Sequence, residues 1–421
     1  MGRLVQVSLL GRGRPAGAGV DGRPACYESV VYRFAGEFEF KTPLFAYGLW
    51  CYLEASDRRP DTVVLLGTAG SMWDALWEAL PEGAQLSEET LAWHAALHRA
   101  CLEHQVTPEM LDVTSAPLDA LPFSRGLQAA LIPDCRNETD IIRFCEILMS
   151  QLEPGDDILL DITHGYRHLP VLAAFLTTSL RWLRGITVRG VFYGALEMAG
   201  RCADGPTVAP VLDLGYAATL FERGAACATY EITGRYGALA PFFPEQAGDM
   251  LTADYYENLT QTARARNAAL RLANSFPGTM QDDPWLAAVA AKLAGEWRWT
   301  QNSQLHQRML SQAENLFRHG EYFKSIAMLH ESFGLYACKR VFGEYKESLN
   351  ERQREDIRDW LGKNLPAERQ KVFDLLRVLR NVLIHNNHHN QRKAQPLIED
   401  RTRMHAFLKK AFAAARAQFN A

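Results

Sequence analysis

Asp157-Ile158-Leu159-Leu160-Asp161-Ile162-Thr163-His164-Gly165-Tyr166-Arg167-His168-Leu169-Pro170 reads as a strand that ends in a polar turn and restarts as a helix. The apolar core lacks the alternation of a half-exposed strand, so it belongs to a sheet covered on both faces. Asp161 closes that core, and polar Thr163 and His164 follow it. Gly165 permits close backbone approach, and Arg167 adds a permanent cation. A helix over residues 169–183 begins at once, so its positive end faces the same spot. Hydroxyl, imidazole, guanidinium and helix terminus converge where a phosphate or nucleotide would lie. The alternative is a capped loop in which Asp161 and Arg167 pair for structure alone.

Working outward, residues 3–10 read as a buried strand, followed by a Gly-rich loop over residues 11–19. That loop is not a phosphate-binding P-loop, because no Gly-Lys-Ser/Thr follows it. Residues 27–40 read as a hairpin centred on Ala35-Gly36. Thr42-Pro43 is expected to open a helix, as N-cap and first helical residue. Residues 61–66 form a second buried strand, which runs into Gly67-Thr68-Ala69-Gly70-Ser71-Met72-Trp73-Asp74. Strand, Gly-Thr-x-Gly-Ser and then helix is a doubly wound crossover, and ligands collect at such carboxyl ends. Backbone N–H groups and the Ser71 hydroxyl could hold an anion there; alternatively Ser71 is only a cap. Helices over 87–104 and 138–152 bracket an expected short strand near 110–113. A strand over 186–193 and a returning strand over 208–212 complete the unit.

From Gly215 onward the β signal disappears, and helices are expected over 221–236, 253–273, 285–299, 304–318, 322–339, 347–361, 366–384 and 401–419. Residues 237–248 and 275–284 read as breaks among them. Near the end of this run stands Leu379-Arg380-Asn381-Val382-Leu383-Ile384-His385. Arg presents a planar fork of donors that matches phosphate, and His is the usual proton carrier near neutral pH. Together they suit phosphodiester cleavage, one group handling a hydroxyl proton and the other stabilising charge on the phosphorus oxygens. The spacing alone decides nothing, because Arg99 and His104 repeat it in this chain. Residues five apart also leave a regular helix on different sides, so His385 is expected where the helix ends or bends. The run from His385 to Asn390 has no carboxylate or Cys at ligand spacing and reads as a solvated loop, not a metal site.

The 421 residues suffice for two or three domains. Eight cysteines without a CxxC pair indicate neither a zinc site nor a disulfide framework. No apolar run reaches membrane-spanning length and the N-terminus lacks a cleavable signal, so a cytoplasmic protein is expected. The net charge of −4 is uneven. Residues 301–421 carry 21 Lys+Arg and 13 Asp+Glu, a balance of +8, and residues 1–300 carry 24 and 36, a balance of −12. The basic part is the one holding Arg380 and His385, as expected if it meets a polyanion.

Three motifs in this order, Gly-Thr-x-x-Ser-Met-Trp-Asp, Asp-x-Thr-His-Gly-x-Arg-x-x-Pro and Arg-Asn-x-x-x-His, resemble the CARF–HEPN ancillary ribonucleases of type III CRISPR systems. The resemblance implies a Rossmann-like α/β CARF domain with a mostly parallel sheet over residues 1–214. A helical connecting region over 215–300 and an all-α HEPN domain over 301–421 would follow. It implies a cyclic oligoadenylate activator, the tetramer ahead of the hexamer, bound across a two-fold axis of a homodimer, with further assembly left open. Gly67, Thr68 and Ser71, with the adjacent Met72 and Trp73, match one binding turn. Thr163, His164, Gly165 and Arg167, with Asp161 before them, match the other. Gly11 and Arg12 of the first loop match less closely, that loop being longer and richer in Gly.

In the helical domain the resemblance implies that Arg380 stabilises the scissile phosphate of single-stranded RNA. His385 would act on the 2′-hydroxyl, and Asn381 would position either partner. Such an attack needs no metal or other cofactor, leaves a 2′,3′-cyclic phosphate, and spares DNA, which lacks the hydroxyl. Two other readings stay open. One is a ligand-responsive regulator that binds nucleic acid without cutting it. The other is a ring nuclease in which Thr163, His164 and Arg167 degrade the cyclic ligand.

Overall fold

The computed structural model describes residues 2–13, 27–80, 87–112, 121–200, 207–276, 283–346, 348–385 and 391–420, without the side chains of Glu78, Arg125, His385 and Gln391. The chain forms two compact units, Met1–Glu222 and Arg223–Ala421. The division falls inside helix α5 (Gly215–Thr233).

In the first unit, strand β1 (Leu4–Leu10) is buried along nearly its whole length. It pairs in parallel with β4 (Thr62–Gly67) on one side and with β6 (Asp157–Asp161) on the other. The full order is β3-β2-β8-β7-β6-β1-β4-β5, built with β2 (Val30–Arg33), β3 (Glu39–Thr42), β5 (Leu127–Leu131), β7 (Thr187–Gly194) and β8 (Val208–Asp213). Pairing is parallel except for β2–β3 and β7–β8. The order reverses between β1 and β6, which is the switch point at which doubly wound sheets present ligands. Register sets Leu10 opposite Gly67 and Ser8 opposite Asp161, so three strand ends open on one edge. This is the expected α/β architecture, and the second unit is the expected all-helical one.

Helices α1 (Phe45–Ala55), α2 (Glu88–Glu103), α3 (Glu138–Ser150) and α4 (His168–Arg184) accompany the sheet. Helix α4 buries Leu169, Ala173, Thr177 and Leu180 at near-helical spacing and stops at Gly185, which is left-handed at φ +69°. Four local expectations are corrected. Of the strand expected near 110–113, residues 110 and 111 belong to a 3-10 turn (Pro108–Leu111) and residue 113 lies outside the described residues, while a strand is supplied by β5. Thr42 ends β3 and takes the Leu44 N–H at 3.0 Å, so α1 starts at Phe45 without Pro43. The segment after Met72 is a 3-10 helix, Trp73–Ala79, tighter than the α-helix a crossover usually brings. The helix expected over 253–273 is two, α6 (Ala247–Asn258) and α7 (Thr262–Ser275), divided where Thr260 adopts φ +58°.

The second unit continues with α8 (Pro284–Glu296), α9 (Leu305–Arg318), α10 (Tyr322–Phe342), α11 (Glu351–Asn364) and α12 (Ala367–His385). It closes with α13 (Gln391–Ile398) and α14 (Arg401–Phe419). Leu329, Phe333, Leu376, Leu379 and Leu408 share one core, which fixes α12 between α10 and α14. Helix α11 begins at Glu351, where Asn350 and Gln353 form a capping box, four residues later than expected. The short α13 was not anticipated.

Candidate functional site

The three strand ends at the switch point meet in a small cleft of about 190 Å³, lined by Leu10, Gly11, Arg12, Thr68, Ser71, Gly165, Tyr166 and Leu169. Two glycines make the closest approach. A Cβ on Gly11 would stand 2.5 Å from the Gly165 nitrogen. Gly165 itself sits at φ +100°, a conformation that other residues rarely adopt.

Ser71 ties this arrangement together. Its hydroxyl donates to the Leu10 carbonyl at 2.8 Å and accepts the Thr68 N–H at 2.9 Å. The Met72 N–H bonds the Gly11 carbonyl at 2.8 Å, and the Trp73 indole N–H bonds the Thr68 carbonyl at 2.9 Å. Met72 and Trp73 are 2% and 0% exposed and form the floor beneath the turn rather than its surface. Gly67 lies under the same ring, where a Cβ would come within 2.8 Å of Trp73 Cζ2.

The second turn is also braced internally. Asp161 is fully buried and accepts the Thr163 N–H at 2.8 Å, while Thr163 Oγ1 accepts the Gly194 N–H at 2.8 Å. Burial pushes the Asp161 carboxyl up to about 7, against hydrogen bonds from Thr163 and Ser8 that favour the charged form. His164 stands beside it with Nε2 enclosed and no hydrogen-bond partner for that atom. Burial lowers its pKa to about 4, so the ring is neutral at pH 7. Charge on the lining therefore comes from exposed Arg12; Arg167, also exposed, follows the lining residue Tyr166 in sequence but is not itself among the lining residues. Arg167 lies near the Tyr193–Glu197 pair, whose hydroxyl-to-carboxylate distance is 2.5 Å. The structure thus gathers Gly11, Arg12, Thr68, Ser71 and Gly165 around one cleft and sets Asp161, Thr163 and His164 behind it. Tyr166, 40% exposed and stacked on His168 with 6.0 Å between centroids, is a lining residue that sequence reasoning passed over. Its signal was an aromatic ring between Gly165 and Arg167.

The helical unit places Arg380 and Asn381 in the last turns of α12. Arg380 Nη1 donates to Asn381 Oδ1 at 3.1 Å, and Nη2 lies 3.7 Å from Glu331 Oε1 on α10. His330 Nδ1 lies 3.5 Å from the same carboxylate, and its ring stacks on Phe373 at 5.4 Å. Neighbouring His330, with the charge of Arg380, holds the Glu331 carboxyl below its usual range against its partial desolvation. Neither His330 nor Glu331 carries a sequence signal, because both sit in an ordinary amphipathic helix. The described part of α12 runs as far as His385. The His385 side chain and residues 386–390 lie outside the described residues. Among the described residues no group of three or more His, Cys, Asp or Glu could hold a metal ion.

A family model described as "CRISPR system endoribonuclease Csx1, CARF domain" matches residues 19–197. Over those residues the N-terminal unit is similar to a CARF domain. CRISPR-associated protein MJ1674 of Methanocaldococcus jannaschii is 23% identical to the chain over 205 residues, 45% of this chain and 31% of the relative. The aligned part thus spans about a third of the length of that curated relative. These similarities support a CARF-containing ancillary protein of type III CRISPR systems. CARF domains in general bind cyclic oligoadenylates. Among the described residues no helix is long and apolar enough to cross a membrane.

Proposed function

We propose that this chain is an endoribonuclease that cuts single-stranded RNA when a cyclic oligoadenylate occupies its CARF domain. The observation that carries this reading is the pairing, in one chain, of that domain with a helical unit whose α12 carries Arg380 and Asn381 five and four residues before His385. In this reading Arg380, oriented by Asn381 and Glu331, stabilises the charge that develops on the scissile phosphate. His385 takes the proton of the attacking 2′-hydroxyl as O2′ bonds to phosphorus, the P–O5′ bond breaks, O5′ takes up a proton from solvent and leaves as a 5′-hydroxyl, and a 2′,3′-cyclic phosphate remains. No step of that displacement calls for a metal ion.

Five residues of α-helix turn 140° about the axis and rise about 7.5 Å, so one copy of α12 separates Arg380 from His385 at the backbone. That supports a site completed by a second copy. The ligand cleft argues likewise, since about 190 Å³ is below the roughly 300–1,000 Å³ of small-molecule sites. Val171, Phe175 and Trp182 of α4 are 52, 55 and 58% exposed and form an apolar face on the helix that starts at the cleft. A homodimer through that face would join two clefts. It would also set the Arg12 and Arg167 guanidiniums of both copies, four in all, around the four phosphates of cyclic tetra-adenylate. Those local cations offset the negative balance of residues 1–300.

The test is cleavage of a fluorescent single-stranded RNA in EDTA, with and without each cyclic oligoadenylate, using wild type and His385→Ala. Cleavage that needs one ligand, tolerates the chelator and disappears in the variant is expected. A wild-type protein that binds ligand and RNA but cuts nothing overturns the reading in favour of a regulator. Ligand breakdown that persists in His385→Ala assigns a ring nuclease to the CARF domain.

A further inference from the structure

A groove of about 720 Å³ opens in the helical unit beside the start of α14. Phe317 and Arg318 line it from the end of α9, Tyr322 from the start of α10, and Arg401, His405 and Lys409 from α14. No carboxylate is among its lining residues. The ion pairs along α14 join Arg403 to Asp400 and Arg416 to Glu314, leaving exposed Arg401 and Lys409 outside them. Arg401 stands in the first turn of α14, where the N-cap carboxylate of Asp400 pairs with Arg403 instead. A cation there opposes the helix dipole, so the helix itself gives no reason for the Arg401 charge. The aromatic side chains are clustered, with ring centroids 4.6 Å apart for Phe317 and His405 and 5.9 Å for Phe317 and Tyr322.

The groove lies in the same helical unit as Arg380, and α14, which lines it, packs on α12 through the shared core and through Arg369, which donates to Gln418 at 2.7 Å. Cations at the rim and stacked rings within are the pairing that single-stranded nucleic acid asks for, phosphates on the charges and bases on the ring faces.

We propose that this groove is an exosite for single-stranded RNA, which holds the strand flanking the segment at Arg380. Its purpose rests on the ribonuclease reading; its occupancy does not. The experiment therefore reads binding without cleavage, by anisotropy of a fluorescein-labelled RNA of about 20 nucleotides on full-length His385→Ala. Adding Arg401→Glu with Lys409→Glu is expected to weaken binding at least tenfold. The slope of log affinity against log salt should shrink by about 1.4, at roughly 0.7 for each lost phosphate contact. His405→Leu is expected to weaken binding without changing that slope. Arg352→Glu with Arg354→Glu on exposed α11 removes the same charge elsewhere and should leave affinity within twofold.

An unchanged Kd in the groove variant, or an equal loss in the α11 control, overturns the exosite. So does polyglutamate that displaces the RNA at equal charge concentration, which would assign the groove to acidic peptides. A protein that never cuts RNA yet loses binding in the groove variant keeps the exosite and loses the nuclease. Ligand-dependent cutting with an unchanged Kd does the reverse.

Discussion

Asp161 and His164 are three residues apart and carry opposite shifts, to about 7 and about 4. The sign of each is set by linkage. The raised Asp161 gives stability that is full below its unfolded pKa near 3.8 and is lost as pH rises through 7. The lowered His164 gives stability that is full above its unfolded pKa near 6.5 and is lost as pH falls toward 4. Between pH 4 and 6.5 the folded chain holds a proton on Asp161 that the unfolded chain holds on His164, so the two slopes nearly cancel. Asp161→Asn keeps the acceptor for the Thr163 N–H and removes one slope. Its denaturation midpoint is expected to fall steadily from pH 6.5 to 4. His164→Phe is expected to lose stability from pH 4 to 7 instead. Parallel profiles for wild type and both variants would defeat this account.

Glu331 is the other residue the motif did not foretell. Removing its charge by Glu331→Gln takes away the carboxylate that holds Arg380 from α10. Because Glu331 is half exposed, stability should change by less than about 1 kcal/mol. The expectation is a several-fold lower kcat for RNA cleavage at unchanged cyclic ligand affinity, read by single-turnover cleavage and ligand titration. An unchanged kcat would reduce Glu331 to a bystander.

At the scale of elements, legibility followed the strength of the local signal. β4 and β6 are apolar runs closed by Gly or Asp, β1 is apolar apart from Gln6 and Ser8, and all three were readable. β5 was not, because Leu-Gln-Ala-Ala-Leu holds no β-branched residue and owes its pairing with β4 to tertiary context. The break between α6 and α7 was hidden for a related reason, since Thr260 takes a left-handed conformation for which Thr has no preference. In the candidate site the residue types were legible and their duties were not. Ser71 and Thr163 look like ligand donors in sequence, but here their hydroxyls brace loop to strand. Element geometry also yields a prediction. Gly11→Ala drives a methyl into the Gly165 backbone and must part the β1 and β6 ends. Cyclic oligoadenylate binding should fall at least tenfold in calorimetry, while the helical unit keeps its RNA affinity. Retained ligand affinity would show that the cleft is not the site.

For the whole molecule, the two units differ in charge sign and architecture, so each suits a different polyanion contact. The acidic α/β unit relies on a few placed cations, and the basic helical unit on a wide field. Activation requires that the ligand prefer one arrangement of the chain over another. That preference was invisible in sequence, because it is an energy difference between states rather than a property of any segment. It nonetheless has a measurable consequence. If the cyclic ligand tightens RNA binding by some factor, RNA must tighten ligand binding by the same factor. On His385→Ala, which leaves RNA intact, cyclic tetra-adenylate affinity is therefore expected to rise about 5- to 150-fold at saturating RNA, the range of typical couplings. The same factor should appear in RNA affinity at saturating ligand. Arg401→Glu with Lys409→Glu should raise the RNA concentration needed without altering that factor. Equal ligand affinities with and without RNA would mean that the CARF domain acts on the catalytic step alone, and coupling would then have to be sought in kcat.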